Sequence, residues 1–199
     1  MDVSLLILAS GSPRRKELLR NAGFSFEVSL PRVAERGGAH LTARELTSWN
    51  AVRKGLNVAL RRPDNVVIAA DTVVALNDSI IGKPADADHA VKILESLSGR
   101  THQVYSSVFV VHLARAEVNL FCEISDVHFR KLARRQIREY LAKIDPIDKA
   151  GAYAAQGHGT EIIKRIDGSY SNVVGLPMEQ TTIVLRKFGI RPNKNASRK

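Results

Sequence analysis

The chain has 199 residues, of which 30 are Lys or Arg and 20 are Asp or Glu, so its formal net charge is +10, and 44% of its residues are hydrophobic. This hydrophobic content excludes a disordered polyelectrolyte, because such chains lack the apolar surface that offsets the conformational entropy lost on folding. At about 150 residues per domain, the length predicts one compact domain or one domain with two lobes.

The sequence predicts a cytoplasmic protein with no membrane partner. Cys122 is the only cysteine, so no intrachain disulfide can form, which fits a reducing compartment. The longest apolar runs, residues 5–9 and 108–111, fall far short of the roughly 20 residues that cross a bilayer. Asp2 precedes the first run and arginines follow it, the reverse of the charge order in a secretory signal.

A large positive charge raises nucleic acid, anionic membranes and phosphorylated small molecules as partners. Four of the basic residues lie in a polar tail after Gly189, which we expect to be frayed. No Lys and Arg stripe is interleaved with aromatic residues, and aromatic content is only 6%. We therefore expect no specific nucleic-acid partner.

The chain opens with a strand and a helix. Residues 5–9 form a short apolar run typical of a strand buried on both faces. Ser12 and Pro13 occupy the N-cap and first-turn positions of a helix that runs to Asn21, and Gly23 ends it.

The next elements are a strand, a loop and a long helix. Residues 24–28 predict the strand, and the glycines at 37–38 predict the loop. Thr42 and Glu45 have the spacing of a capping box, which predicts a helix that runs to about Leu60.

The remaining segments alternate between strand and helix patterns. In chain order we predict strand over 66–76, a turn at 77–78 into a strand at 80–81, a helix over 86–97, strands over 102–114 and 117–129 joined as an antiparallel hairpin by Arg115 and Ala116, a helix over 136–144, a strand over 161–166 and a helix from Pro177 to about Phe188. This alternation predicts an α/β domain with a mixed sheet.

Residues 9–15, ASGSPRR, place a strand directly before a capped helix. A helix N-terminus presents free N–H groups and a positive dipole, and here Ser10, Ser12, Arg14 and Arg15 add hydroxyl and guanidinium donors. The segment therefore has the composition of a phosphate site, although it is neither a GxxxxGK[ST] nor a GxGxxG motif. The alternative is a capped surface helix whose arginines face only water.

Asp71 lies within an apolar strand pattern, VVIAADTVVAL. A buried charge costs several kcal/mol unless it is paired, bound to a metal or open to a cleft. The alternative, a strand that ends at Asp71, is disfavoured because strong β-formers resume at once. An acid in this position is suited to binding Mg²⁺ or to activating water.

For three other polar residues, only the neighbouring sequence indicates whether they could belong to a site. Lys83 lies between Gly82 and Pro84, which predicts a loop that holds the lysine at its mouth. Lys54 within a predicted helix could equally be an ordinary solvated lysine. Gln156 follows a run of small residues that lets a flat ligand approach.

Together these segments resemble one family. In order, the chain contains LILASGSPRRKELL, a Glu and an AxxKG segment, AADTVVAL, GKP, SGRTHQV, DKAGAYAAQG and DGSYSNVVGLP. With them it is similar, over about residues 4–190, to the Maf family, the nucleotide pyrophosphatases also called septum formation inhibitor proteins.

The resemblance implies both a fold and a reaction. The fold is α/β, an elongated mixed β-sheet flanked by helices, with two lobes and a cleft, related to the inosine triphosphate pyrophosphatases. We therefore expect residues 1–190 to form one two-lobed domain and residues 191–199 to form a basic polar tail. The reaction converts a nucleoside triphosphate to the monophosphate and pyrophosphate with a divalent metal cation, Mg or Mn. A homodimer is left open.

The resemblance also implies a substrate type and roles for residues. The pyrimidine type, which acts on dTTP and UTP, carries ADT and GAYxxQG, as this chain does, whereas a type that acts on 7-methyl-GTP differs at both places. Asp71 matches the proton acceptor, and three residues match the positions that set base preference: Arg14, Thr72 and Gln156. Five residues match other active-site positions: Ser10, Arg15, Glu35, Lys54 and Lys83.

The chain departs from the family at two places. It has Ala34 and Glu35 where many members have an acidic pair, so one carboxylate fewer is present for metal or water. It has Gly55 where many members have alanine after the lysine, and glycine inside a helix costs about 1 kcal/mol against alanine.

The chemistry of the residues agrees with this interpretation. A triphosphate carries about four negative charges, which Arg14, Arg15, Lys54 and Lys83 would neutralise. Asp71 would act as base or as metal ligand, with Glu35 as the second carboxylate for the metal. We expect turnover of dTTP and UTP. The alternatives are the same reaction on 7-methyl-GTP or another modified nucleotide, or a non-enzymatic nucleic-acid-binding or cell-division regulatory protein.

Overall fold

A computed structural model describes residues 5–34, 40–77 and 79–193 of the chain. Its strands are β1 (Leu6–Leu8), β2 (Glu27–Val28), β3 (Val66–Leu76), β4 (Ser79–Ile81), β5 (Thr101–His112), β6 (Glu117–Phe129) and β7 (Ile163–Asp167). Its α-helices are α1 (Pro13–Asn21), α2 (Ala43–Ala59), α3 (Ala87–Leu97), α4 (Arg134–Leu141), α5 (Gly159–Ile162), α6 (Tyr170–Val174) and α7 (Met178–Lys187), and single 3-10 turns lie at Leu113–Arg115 and Ala150–Ala152.

Within the described residues, the seven strands form one mixed sheet in the order β2-β1-β3-β5-β6-β7, and β4 also pairs with β3. Strand β1 is parallel to β2 and β3, whereas the pairs β3–β4, β3–β5, β5–β6 and β6–β7 are antiparallel. The predicted α/β class with a mixed sheet is therefore confirmed.

Strand β3 has one edge that is paired along most of its length and one that is not. Strand β5 pairs with residues 66–75 of β3 on one edge. The other edge pairs with β1 at residues 66–68 and with β4 at residues 74–76. Residues 69–73 of that edge have no strand partner among the described residues, so the sheet contains a gap with Asp71 at its centre.

Helices cover both faces of β3. On one face α2 packs on Ala69 and Val73, and its first turn carries the predicted capping box, in which Thr42 N donates to Glu45 Oε2 at 2.9 Å. On the other face Ala70 packs in a cluster with side chains of α1 and α7. A further cluster around α3 and α4 fills the region beyond β4.

Gly55 of α2 lies where the helix packs closely on the sheet. A Cβ at this position would stand 2.4 Å from Cδ1 of Phe109 and 3.3 Å from Cβ of Ala69. The Phe109 ring therefore occupies the space that a methyl group at position 55 would need, which gives a packing reason for glycine within this helix.

Several predicted boundaries were wrong by a few residues. The strand predicted over 24–28 is reduced to β2, because the chain leaves α1 through Gly23, at φ +81°, and Phe24 N still donates to Leu19 O. Strand β5 ends two residues early because residues 113–115 form a 3-10 turn, after which Ala116 adopts φ +52°.

In the C-terminal third of the chain, the observed elements differ more from the predicted ones. Helix α4 covers residues 134–141 rather than 136–144, since Gln136 caps the free N–H of Ala133 at 2.8 Å. Glu161 lies in α5 rather than in β7, and α6 and the 3-10 turn at 150–152 were not predicted. The predicted loop at 37–38 and Asp78 of the predicted turn lie outside the described residues.

The predicted tail is described only as far as Asn193. The Asn193 backbone N donates to Gly23 O at 2.8 Å, and its side chain donates to Ser25 Oγ at 2.8 Å, so this part of the tail contacts the loop after α1. No helix in the described part of the chain is long and apolar enough to cross a membrane.

His102 is buried beside Phe129 and Tyr153. Its Nε2 lies 2.9 Å from Tyr153 Oη, and its ring stands edge-on to both aromatic rings. Burial, with a smaller electrostatic influence of the neighbouring His128, lowers the pKa of His102 from 6.5 to about 4. The imidazole is therefore neutral in the folded protein at pH 7.

We predict that Gly55→Ala destabilises the protein by about 1 to 3 kcal/mol, because overpacking against Phe109 outweighs the gain in helix propensity. Urea unfolding of the single variants and of Gly55→Ala/Phe109→Leu measures the coupling. Gly55→Ala should lower the free energy of unfolding by less when Phe109 is replaced by the smaller leucine. Equal costs in both backgrounds would contradict the packing explanation.

We predict that His102 makes folding sensitive to acid between pH 6.5 and 4. In this range the histidine is protonated in the unfolded chain but not in the folded chain. The contribution of His102 to the free energy of unfolding is therefore fully present above pH 6.5, and about 3 kcal/mol of it is lost by pH 4. Urea unfolding across this range should show a steeper loss for the wild type than for His102→Gln. Parallel curves would contradict the assignment.

Candidate active site

A cleft of about 1030 Å³ opens at the gap in the edge of β3. Strand β1 ends there, and the loop at residues 10–12 and the N-terminus of α1 follow it into the cleft wall. The opposite wall contains the loop after β4 and residues 148–156. The end of a parallel strand that leads into a helix N-terminus is a common position for an anion site.

Asp71 is buried in the floor of this cleft on the face of β3 that α2 covers. Lys54 Nζ of α2 lies 2.6 Å from Asp71 Oδ1, and both side chains are 8% exposed. Asn50 Nδ2 donates to Asp71 Oδ2 at 3.2 Å. Since Asn50 and Lys54 are four residues apart, they project from the same side of the helix, and together they hold both oxygens of the carboxylate.

Thr72 points to the other face of β3, where Arg15 of α1 contacts it. The Arg15 guanidinium donates to Gly175 O at 2.9 Å, to Ser10 Oγ at 3.2 Å and to Thr72 Oγ1 at 3.1 Å. These three contacts connect α1, β3 and the segment after α6. They hold the arginine side chain beside the N-terminus of α1. Ser12 caps this helix, and its Oγ accepts from Arg15 N at 3.5 Å.

Arg14 lies at the mouth of the cleft and contacts the opposite wall. Its Nη1 lies 3.5 Å from Asp148 Oδ2, and Lys149 Nζ also contacts Asp148. Burial alone would raise the pKa of the Asp148 carboxyl, but the hydrogen bond from Lys149 and the charges of Arg14 and Lys149 outweigh it and lower the pKa below its usual value. Asp148 is therefore ionised and bridges two cations.

Lys83 is exposed in the loop after β4 and lines the cleft. This loop is connected to the opposite segment by the backbone, since Gly151 N donates to Gly82 O at 3.1 Å. Gly151 adopts φ +71°, and a Cβ there would stand 2.8 Å from Val74 Cγ2, so only glycine lets the chain approach β3 this closely.

Gln156 belongs to the same wall, and two tyrosines hold the backbone that leads to it. Tyr140 Oη accepts from Ala154 N at 3.0 Å and donates to Ala154 O at 3.2 Å, and Tyr170 Oη donates to Ala155 O at 3.3 Å. Burial raises the pKa of Tyr140 to about 12, so it remains a hydroxyl donor at neutral pH. The Gln156 side chain faces the cleft and donates from Nε2 to Glu17 Oε2 at 3.3 Å.

The structure brings together every predicted site residue that it describes. The residues that line this one cleft are Ser10, Ser12, Arg14, Arg15, Lys54, Asp71, Thr72, Lys83 and Gln156. Glu35, the remaining predicted residue, lies outside the described residues.

Sequence reasoning missed three polar residues of the cleft, Asn50, Asp148 and Lys149. Asn50 could have been found from its spacing of four residues before Lys54 on a predicted helix. Asp148 and Lys149 stand directly before the small-residue segment, but no local pattern indicates that Asp148 meets Arg14, which is 134 residues away in the chain.

A divalent cation can be tested against the donors in the cleft. The described residues contain no group of three or more His, Cys, Asp and Glu side chains that could hold a metal by themselves. Mg²⁺ is commonly bound by one or two carboxylates together with substrate phosphates, and Asp71 supplies one such carboxylate. The donors therefore fit a cation that arrives with a phosphate ligand.

The chain is similar to known proteins over most of its length. The family model described as Maf-like protein matches residues 5–188. A dTTP/UTP pyrophosphatase of Bacillus pumilus is 43% identical over 94% of this chain and 98% of its own, and one of Pelotomaculum thermopropionicum is 42% identical over 92% and 96%. Among solved structures, a HAM1 protein from Coxiella burnetii aligns with 63% of this chain and 73% of its own at 18% identity, with a TM-score of 0.42.

We predict that Lys54→Met lowers the free energy of unfolding by about 3 kcal/mol, because it leaves the buried Asp71 carboxylate without its counter-ion. Lys54→Met/Asp71→Asn should recover part of this loss, since the uncompensated charge is then gone. Urea unfolding measures both, with the exposed Lys92→Met as control. A single variant as stable as the control would contradict the role of the ion pair.

Proposed function

Because this chain belongs to the Maf family, we propose that it is a nucleoside triphosphate pyrophosphatase that hydrolyses dTTP and UTP to the monophosphate and pyrophosphate. The observation that carries the proposal is the convergence of a helix N-terminus, several cations and the buried Asp71 on one cleft. Helix termini and cations bind phosphates, and a fixed carboxylate can activate water.

The charges of the cleft suit a triphosphate. Among the described residues that line it, the cations are Arg14, Arg15, Lys54, Lys83 and Lys149, and the anions are Asp71 and Asp148. The excess of three positive charges falls about one short of the roughly four negative charges of a triphosphate. A divalent cation bound with the nucleotide would supply two positive charges, and Glu35, the second proposed carboxylate ligand, would offset one of them, so we retain Mg or Mn in the proposal.

The metal would be held by Asp71, by Glu35 and by phosphate oxygens, and when bound it would neutralise charge on the phosphates. The chain's own residues position the reactants. Arg15 is fixed by its three acceptors and presents its guanidinium beside Ser10 and the N-terminus of α1. Lys54 both holds Asp71 and lines the cleft, so it is placed to contact a phosphate next to the carboxylate.

The proposed chemical step is attack of water at the α-phosphorus. The water oxygen forms a bond to phosphorus, its proton passes to Asp71, and the bond between the α-phosphorus and the bridging oxygen to the β-phosphate breaks. Pyrophosphate leaves with the electron pair of that bond. Developing charge on the phosphate oxygens is stabilised by Arg14, Arg15 and Lys83, which stand on both walls.

The base would be recognised at Gln156. Uracil and thymine present a donor at N3 and an acceptor at O4, which match the oxygen and the nitrogen of a side-chain amide. Cytosine presents the reverse pattern at these two positions. We therefore propose preference for dTTP and UTP over CTP and dCTP, and we expect the protein to act in the cytoplasm, where these nucleotides occur.

The proposal is tested by pyrophosphate release from a panel of dTTP, UTP, CTP, dCTP and 7-methyl-GTP with Mg²⁺, Mn²⁺ or EDTA. We expect turnover of dTTP and UTP that EDTA abolishes. Turnover of 7-methyl-GTP alone would replace the substrate, and no turnover of any nucleotide would overturn the enzymatic function. EDTA-resistant turnover would remove the metal from the proposal.

We predict that Asp71→Asn lowers kcat for UTP at least about 100-fold, because an amide cannot accept the proton from water. UTP binding, measured by calorimetry, should weaken far less, since the cations remain. The exposed Asp64→Asn is the matched control and should retain wild-type turnover. Full activity in Asp71→Asn would contradict its role as base or essential ligand.

A further inference from the structure

We propose that Glu17 fixes the orientation of the Gln156 side-chain amide and thereby lets the cleft select uracil and thymine over cytosine. This inference rests on the proposed function, because it assumes that a pyrimidine nucleotide occupies the cleft. Its basis is the contact between Gln156 Nε2 and Glu17 Oε2, at 3.3 Å. Gln156 lines the cleft and Glu17, on α1, does not, so Glu17 would act through Gln156 rather than touch the base.

An amide side chain that rotates freely discriminates poorly between uracil and cytosine. Its oxygen and nitrogen ends have nearly the same shape, and rotation by half a turn exchanges acceptor and donor. In one orientation Gln156 matches the N3–H and O4 of uracil, and in the other it matches the N3 and N4 amino group of cytosine. Discrimination therefore requires a third group that makes one orientation unfavourable.

Glu17 has the chemistry of such a group. An ionised carboxylate only accepts hydrogen bonds, so it favours the NH₂ end of the amide and repels the oxygen end. One N–H of Gln156 is then used by Glu17, while the second N–H and Oε1 remain for the base. These are one donor and one acceptor, the set that uracil and thymine require.

The rest of Gln156 is already held in place. Tyr140 binds both backbone polar groups of Ala154, and Tyr170 binds the carbonyl of Ala155, so the backbone that leads to Gln156 is fixed. The freedom that remains is rotation of the side chain. The contact with Glu17 restrains that rotation and joins Gln156 to α1, the helix whose N-terminus we propose to contact the phosphates.

The experiment measures kcat/KM for UTP and for CTP in the wild type, Glu17→Gln and Glu17→Ala. Glutamine nearly matches the size of glutamate but can donate or accept, so it permits both orientations of Gln156. We expect both variants to lower the ratio of UTP to CTP efficiency roughly tenfold, which corresponds to about 1.4 kcal/mol. The change should come mainly from faster CTP turnover, with kcat for UTP nearly unchanged.

Two controls separate positioning from other effects. Glu139→Gln removes an exposed helical carboxylate that pairs with Arg135, and it should leave the ratio unchanged. In a Gln156→Ala background no amide is present, so Glu17→Gln should have no further effect on the ratio. Thermal unfolding of each variant checks that the substitution leaves the fold intact.

The outcomes distinguish this inference from the proposed function. No pyrophosphate release by the wild type from UTP or dTTP would overturn the proposed function itself. A wild type that prefers UTP, with Glu17 variants that keep the same ratio, would overturn only the role of Glu17. Equal changes for UTP and CTP, or an undiminished effect in the Gln156→Ala background, would also overturn it, because they indicate a general electrostatic or structural effect.

Discussion

The arrangement of the cleft depends on the buried ion pair between Lys54 and Asp71. A carboxylate in the middle of a buried strand is costly unless it is paired with a counter-ion or open to a cleft, and Asp71 has both. The sheet supplies the access by leaving residues 69–73 of β3 unpaired on one edge, between β1 and β4. Helix α2 supplies the counter-ion and an amide from two residues one turn apart.

The gap also explains why residues from distant parts of the chain share one cleft. Because β1 stops before Asp71, its continuation brings the N-terminus of α1 to the same opening, and β4 brings Lys83 from the other side. Arg15 donates to Thr72 on the second face of β3, so this one strand carries Asp71 and also holds Arg15, which we propose to contact phosphate. Contacts of Arg14 with Asp148 and of Glu17 with Gln156 then connect α1 to the opposite wall.

The sequence predicts those features of the site whose causes are local. The cap at Ser12, the capping box at Thr42 and the continuation of β3 through Asp71 depend on neighbouring residues, and the structure confirms each of them. Roles for Lys54, Thr72 and Gln156 came only from resemblance, because each is an ordinary residue in its local pattern. The pairs that join distant segments were missed, as were the short helix α6 and the reason for Gly55, which is the position of a ring more than fifty residues away.

The position of the nucleotide in the cleft can be seen in a crystal structure with a hydrolysis-resistant UTP analogue, in which nitrogen replaces the oxygen between the α- and β-phosphates. We expect the phosphates between the N-terminus of α1 and Lys83, the α-phosphorus one water molecule away from Asp71, and the uracil edge on Gln156. Phosphates bound away from the gap in β3, or a base that points away from Gln156, would contradict this expectation.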